Sequence, residues 1–358
     1  MNVKPREEVL KMPNYDPPLE GRRGKLRLDF NENPIGCSPK VIKMLKSLTR
    51  EDIAIYPEYN KINKKIATFF DVSQDEFLLT NGTDEGIKLI MDTYLSPQDE
   101  ILLPIPTFSM FEIYASIIGC QITKVLYNPD LGFPTNNLLK NISAKTKLII
   151  LSNPNNPTGT IINENDILKI LKISKKKGIL VLLDEAYYDF CGQTFLPSIN
   201  KYENLIITRT FSKAYGLAGL RLGVLFSKSQ NIKYLRRVLS PYSVNNIAVM
   251  AAMIALDDKE YIKKFSNMIK NNRNIVKKEL EKLGLKVYPS HTNFLITDFG
   301  NPYDYVENEL KKREILVRNR SNYPLLKNCL RIGIGTEEQC EKLLQAIREI
   351  LSQWRKNQ

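Results

Sequence analysis

Lys213 stands in the run Thr210-Phe211-Ser212-Lys213-Ala214-Tyr215-Gly216-Leu217-Ala218-Gly219-Leu220-Arg221. A free lysine amine titrates at about 10.4 and is a poor nucleophile at neutral pH. Partly desolvated and set beside Arg221, it loses its proton more readily and can form an imine with an aldehyde. The hydroxyls of Thr210 and Ser212 and the fork of Arg221 can hold a phosphate. The small residues between Lys213 and Arg221 let the backbone pass close to a ligand. Upstream lies Asp184-Glu185-Ala186-Tyr187. A buried strand-end aspartate needs a cation. A protonated ring nitrogen would supply one, with Tyr187 donating to a phenolate oxygen on the same ring; the plainer reading is that Asp184 caps the next helix. An amine nucleophile, phosphate donors and a carboxylate for a ring nitrogen are together what pyridoxal phosphate requires.

Three further segments carry weaker signals. Asn153-Pro154-Asn155-Asn156-Pro157-Thr158-Gly159 is turn-forming and presents amides. Asn156 is best placed to meet the phenolate oxygen, and a simple loop is the alternative. Asn81-Gly82-Thr83-Asp84-Glu85-Gly86 ends a strand and opens a helix, where free N–H groups make an anion site; helix capping is the competing reading. Phe108, in Pro104-Ile105-Pro106-Thr107-Phe108, is suited to stack on a pyridine ring or to fill a core.

These residues need a scaffold that gathers them. From about residue 60 to 230, short apolar runs alternate with amphipathic stretches. Ile101–Leu103, Leu148–Leu151, Ile179–Leu183, Leu205–Ile207 and Gly223–Phe226 read as buried strands, and Asn165–Lys176 as a helix between them. The alternation predicts an α/β fold: a large domain with a mostly parallel sheet covered by helices on both faces. Asp184 then sits at a strand's carboxyl end, where open α/β sheets bind ligands. Ser38 and Pro39 open a helix through about Leu48. A long helix over Lys259–Leu283 leads into a smaller α/β domain with strands at Val287–Tyr288, Asn293–Thr297, Ile315–Val317 and Leu330–Ile334, closed by a helix over Glu337–Trp354. The expected division is an arm over residues 1–30, a small domain from 31–50 and 258–358, and a large cofactor-binding domain over 51–257.

The 358 residues exceed the roughly 250–300 at which one core stops growing, which also argues for two domains. Hydrophobic residues make up 43 % and charged residues 25 %, as in ordinary globular proteins. The 52 Lys and Arg against 39 Asp and Glu leave a net charge of +13. The lysines are spread over apparent helix faces, so the surplus reads as solvated surface plus an anion pocket, not a nucleic-acid footprint. Five cysteines without a C-x-x-C pair argue against disulfides and zinc, and suit a reducing cytoplasm. His291 is the only histidine. No metal site is expected, no G-x-S-x-G elbow appears, and His291 reads as structural. The charged, proline-broken N-terminus is no signal peptide, and no apolar run approaches the ~20 residues of a membrane span.

Taken together, the N-P-N-N-P-T-G, D-E-A-Y and T-x-S-K…G-L-A-G-L-R elements closely resemble the fold-type-I pyridoxal-phosphate aminotransferases, most closely the histidinol-phosphate aminotransferase family, over about residues 25–350. The resemblance implies that Lys213 carries the cofactor as an imine and that Asp184 meets the ring nitrogen. Asn156 and Tyr187 would meet the phenolate oxygen, and Phe108 would stack on the ring. Thr83, Asp84, Thr210, Ser212 and Arg221 would surround the phosphate. Tyr56, in Ile55-Tyr56-Pro57, matches a tyrosine that reaches the neighbouring subunit's phosphate, which implies a homodimer with shared sites. Arg331 and Arg318 match arginines for the substrate's anionic group. Many family members show Pro-Tyr early in the chain; here the run is Asn14-Tyr15-Asp16-Pro17-Pro18, with Tyr15 the candidate to cap the neighbour's substrate. The implied activity is cytoplasmic transamination between histidinol phosphate and 2-oxoglutarate, in histidine biosynthesis. Aromatic amino-acid transamination is the nearest alternative, a phosphothreonine-type decarboxylase the next. The rival from another class, a basic nucleic-acid-binding regulator on the same fold, lacks room for a DNA-reading module in its first 30 residues.

Overall fold

A computed structural model describes residues 3–12 and 17–357. Its central feature is a seven-stranded sheet. From edge to edge the strands are Phe77–Thr80, Gly223–Ser227, Leu205–Thr210, Leu180–Asp184, Thr146–Ser152, Glu100–Ile105 and Gln121–Leu126. Four neighbouring pairs run parallel; the two pairs made by Gly223–Ser227 run antiparallel. That exception follows from the connection. Between Thr210 and Gly223 the chain makes only a short 3-10 turn, Ala218–Leu220, too little for the crossover a parallel partner needs.

Period-two alternation explains why both faces are covered. Val181, Leu183, Leu205 and Ile207 enter one apolar cluster, whereas Leu180, Leu182 and Ile206 enter the other. The strands therefore read as continuous apolar runs. The edge strand Gln121–Leu126 escaped the sequence reading because Thr123 and Lys124 interrupt its apolar character and only Val125 is buried.

A second sheet, of four antiparallel strands, runs Arg318–Asn319, Cys329–Gly333, Phe294–Asp298 and Lys286–Val287. The 24-residue helix Lys259–Lys282 leads to it, and the 20-residue helix Glu337–Lys356 follows it behind a capping box on Thr336. One expectation needs correction. The stretch read as one strand, Ile315–Val317, is not part of this sheet: Ile315–Leu316 pairs in parallel with Leu26–Arg27, inside the segment read as an arm. The chain then turns, and Arg318 enters the four-stranded sheet opposite Arg331. At the N-terminus, Ser38 caps the helix Pro39–Lys46 by accepting from Lys40 N–H, as its sequence predicts. No helix of the described residues is long and apolar enough to cross a membrane.

Candidate active site

A cavity of about 280 Å³ opens at the carboxyl ends of the parallel strands. Asp184 and Thr210 are the last residues of their strands, and Asn156 and Phe108 lie just beyond two others. Of the residues singled out from sequence, Lys213, Asp184, Tyr187, Asn156, Phe108, Thr83, Asp84, Thr210, Ser212, Arg221, Arg318 and Arg331 all line this one cavity. Tyr56 does not. It is 72 % exposed and stacks on Tyr242 with ring centroids 4.3 Å apart. Tyr15 lies outside the described residues. His291 is away from the cavity, its backbone N–H donating to Gly159 O at 2.7 Å.

The lysine is poised as its chemistry demands. Lys213 Nζ donates to the Phe30 carbonyl at 3.0 Å. Desolvation lowers its pKa to about 8; the Arg331 and Arg221 charges push the same way, against Glu32 and Asp84. At neutral to mildly basic pH an appreciable fraction is the free amine.

Asp184 is buried, and its pKa rises to about 6 through that burial. Thr208 Oγ1 donates to Oδ1 at 2.7 Å and Ala186 N–H at 3.2 Å, which oppose the rise. The second bond is a local turn contact and not the helix cap considered from sequence: the next helix, Tyr188–Cys191, has no side-chain cap. Both bonds use Oδ1, so Oδ2 is left for a donor in the cavity. A buried carboxylate without a cation is costly, and a ring N–H⁺ would be that cation. Burial also raises the Tyr187 pKa, so its phenol stays protonated. The Tyr187 oxygen accepts from Asn31 Nδ2 at 2.8 Å, which leaves its O–H free to donate. Asn156 Oδ1 accepts from Arg331 Nη1 at 2.7 Å. An amide has one acceptor and one donor end, so Nδ2 is what Asn156 can offer a phenolate. Phe108 lines the cavity and meets Phe111 edge-on, with ring centroids 5.7 Å apart.

The end of the cavity expected to hold a phosphate lies where the helix Gly82–Tyr94 begins. Its first-turn N–H groups have no intrahelical partners. Arg221 Nη2 donates to Asp84 at 2.9 Å. The Asp84 side chain thus orients Arg221, and what it can add to an anion site is its backbone N–H. The backbone conformation and the nearby Arg221 both favour glycine here. A Cβ on Gly82, whose φ is +76°, would lie 2.5 Å from Arg221 Nη2.

At the other end three arginines converge. Arg318 and Arg331 face each other across two strands, and Arg320 and Tyr323 line the same wall. Arg331 is buried, and its pKa falls to about 9 through desolvation and the nearby Arg320 and Arg318 charges. Its Nη1 holds Asn156 and its Nη2 donates to the Asp29 carbonyl, while Nε is buried without a partner. Arg320 was missed from sequence, although strand alternation puts residues 318 and 320 on one face. Phe30, Asn31 and Glu32 were also missed. Asn31 tolerates its φ of +57° as asparagine does. Arg22 clamps this strap by forking onto Asp29 at 2.7 and 3.0 Å and Glu32 at 2.9 and 3.1 Å, with its guanidinium 4.1 Å over the Phe30 ring.

The donors thus fit pyridoxal phosphate on three observations: the cation-less Asp184, the open helix start beside Arg221, and a desolvated lysine between them. Comparison with known proteins agrees. The family model for class I and II aminotransferases matches residues 23–347. A histidinol-phosphate aminotransferase from Caldanaerobacter subterraneus is 39 % identical over 97 % of this chain and 98 % of its own. The crystal structure of a putative histidinol-phosphate aminotransferase from Erwinia carotovora superposes with a TM-score of 0.87 at 28 % identity, covering 92 % of this chain and 96 % of that one. One from Sinorhizobium meliloti, solved with pyridoxal-5′-phosphate, gives 0.84 at 25 %, covering 92 % and 91 %.

Proposed function

The chain belongs to the class I and II aminotransferase family and is a pyridoxal-phosphate-dependent transaminase; from that premise we propose that it is a histidinol-phosphate aminotransferase, exchanging the amino group between L-histidinol phosphate and 2-oxoglutarate. The observation that carries the substrate is the gathering of Arg318, Arg320 and Arg331 at one end of the cavity. One carboxylate is matched by a single arginine fork. A phosphate ester has more charge and more acceptor oxygens, and three arginines suit it.

Bound pyridoxal phosphate supplies an aldehyde that takes the amino group and a protonated ring that draws electrons from the carbon beside it. In this reading Asp184 Oδ2 accepts from the ring N–H, and Tyr187 O–H and Asn156 Nδ2 donate to the phenolate oxygen. Thr83 and Asp84 N–H, Thr210, Ser212 and Arg221 hold the phosphate, and Phe108 stacks on the ring. Lys213 Nζ, as the free amine, would take the proton from the aminated carbon of the substrate and deliver it to the carbon on the other side of the transferred nitrogen. Arg331 and Arg318 hold the anionic arm of the donor and the carboxylate of the acceptor. The exposed Tyr56 is assigned to the phosphate of a second copy's site, so the working unit is a homodimer, with Tyr15 as the cap reaching the same neighbour. The expected compartment is the cytoplasm.

The test mixes cofactor-loaded enzyme with histidinol phosphate, phenylalanine or tyrosine and follows the visible absorbance of the bound cofactor. Histidinol phosphate should deplete it at the lowest concentration. Depletion by the aromatic amino acids alone would assign the enzyme to them instead.

A further inference from the structure

Immediately behind the ring-nitrogen carboxylate lies a buried ion pair that lines none of the active-site cavity. Glu185 follows Asp184 in the chain, and Arg209 follows Thr208. Glu185 is 1 % exposed and Arg209 7 %. Arg209 donates to Glu185 Oε2 through Nε at 3.0 Å and Nη2 at 2.9 Å. Thr194 Oγ1 donates to the same oxygen at 2.8 Å, and Phe195 N–H donates to Oε1 at 2.7 Å. The guanidinium lies 3.8 Å from the Tyr188 ring centroid. Oε2 thus takes three donors and Oε1 one, so both carboxylate oxygens are held.

The pair joins the ends of two strands. Asp184 is in register with Thr208, and Glu185 N–H donates to the Thr208 carbonyl at 2.9 Å. Alternation sends Arg209 to one face and Thr208 to the other, where its hydroxyl reaches Asp184 Oδ1 at 2.7 Å. A shift of one strand end against the other would carry Thr208 off Asp184. Stability alone is a weak reason for such a pair, since buried ion pairs are often replaced by apolar side chains at no cost.

We propose that Glu185 and Arg209 are positioning residues: their fork locks the two strand ends so that Thr208 holds Oδ1 of Asp184 and Oδ2 is aimed at the cofactor's ring nitrogen. The inference rests on the assignment of Asp184 made above. Arg209 also lines a separate cleft of about 580 Å³ behind the sheet, which gives small cations a route to the pair from the side away from the substrate.

The experiment compares wild type with the double variant Glu185→Met/Arg209→Met, with Arg209→Ala, and with Asp184→Asn. Melting temperature of the cofactor-free protein reports folding. Cofactor dissociation constant, the visible spectrum of the bound cofactor and the split between kcat and KM report positioning. The double variant should melt near wild type. It should bind cofactor about tenfold more weakly, as expected for one misaligned charge-assisted hydrogen bond. Its spectrum should move toward that of Asp184→Asn, and kcat should fall while KM for 2-oxoglutarate stays within about twofold, the signature of an interaction made in the transition state. Millimolar guanidinium should restore Arg209→Ala through the cleft, and methylammonium, which has no fork, should not. A double variant with wild-type dissociation constant, spectrum and kcat overturns the proposal, as does equal rescue by methylammonium. If Asp184→Asn itself binds and absorbs like wild type, the assignment of Asp184 falls, and the proposal with it. If Asp184→Asn changes and the double variant does not, only the positioning role is lost.

Discussion

The two ends of the cavity are built on opposite electrostatic plans. At the proposed phosphate end Arg221 is already paired with Asp84, and hydroxyls and the helix start lie beside it. At the substrate end Arg331 spends its two terminal nitrogens on neutral oxygens, and Arg318 and Arg320 add charge beside it. The first end can retain a tenant through every turnover without a large change in charge. The second is repulsive until an anion arrives, so it favours a ligand that comes and goes. Lys213 sits between them and feels both, since Arg331 and Arg221 each lower its pKa.

The largest effect should come from the residue both ends share. Lys213→Ala removes the imine and the proton carrier but leaves Asp184, Arg221 and the helix start in place. Turnover should fall by at least the ~10²–10⁴-fold of a lost general base, while the variant remains folded and still binds cofactor. Full activity without added amine would discard the site.

Next comes a stability effect confined to the cofactor end. Asp184 has a folded pKa of about 6, against 3.8 for an ordinary aspartate. Between those values the folded cofactor-free protein binds more protons than the unfolded chain, so its stability falls as pH rises from about 4 to 6 and is level above that. A shift of this size corresponds to about 2–3 kcal/mol. Asp189 is pushed to about 6 by burial in the same way and contributes in the same window, so the informative quantity is the difference between wild type and Asp184→Asn. The variant should lose its share of the slope in urea titrations at stepped pH. An unchanged slope would mean that Asp184 is not the desolvated carboxyl described above.

At the substrate end the expected losses are smaller and selective. Losing a charged hydrogen-bond partner costs roughly 1.5–3 kcal/mol, or about tenfold to a hundredfold in affinity. Arg331→Ala should depress kcat/KM for histidinol phosphate, phenylalanine and tyrosine alike, and it also frees Asn156. Arg318→Ala should depress histidinol phosphate by about tenfold more than the aromatic amino acids, because the second arginine matters most for the phosphate. Equal losses on all three substrates would remove the phosphate role from Arg318.

The same division separates what was legible in the sequence. The cofactor end is made of short contiguous runs that end strands or begin helices, so local pattern locates Asp184, Lys213, Thr83 and Arg221 in one pass. The substrate end is assembled from segments far apart in the chain. Nothing local ties Phe30 or Glu32 to Arg331; the strand pairing of Leu26–Arg27 with Ile315–Leu316 and the Arg331 bond to the Asp29 carbonyl bring that strap home. Arg320 was readable by alternation once residue 318 was suspected. The antiparallel strand Gly223–Ser227 was found as a strand, but its direction depends on the length of a loop, not on the strand's own residues.

Tyr56 belongs to neither end of its own cavity, and that makes it the last test of the comparison. Its ring is exposed beside Tyr242, with Ile53 and Ile55 exposed close by in the chain. Such a group of large apolar side chains is expected to be covered. If a second copy covers it, Tyr56 would donate to the phosphate in the partner's site, adding one neutral donor to Thr210, Ser212 and Arg221 there. Tyr56→Phe should then weaken cofactor binding by about tenfold or less, the worth of one hydrogen bond to a charged group, and should leave discrimination between substrates unchanged. A hybrid dimer makes the claim sharper. Pairing a Tyr56→Phe subunit with a Lys213→Ala subunit gives one site that is wild type at both positions and one that is altered at both. At limiting cofactor the mixture should exceed either parent in activity. Hybrids that never exceed their parents would confine Tyr56 to its own subunit, and the phosphate end would have to be complete within a single chain.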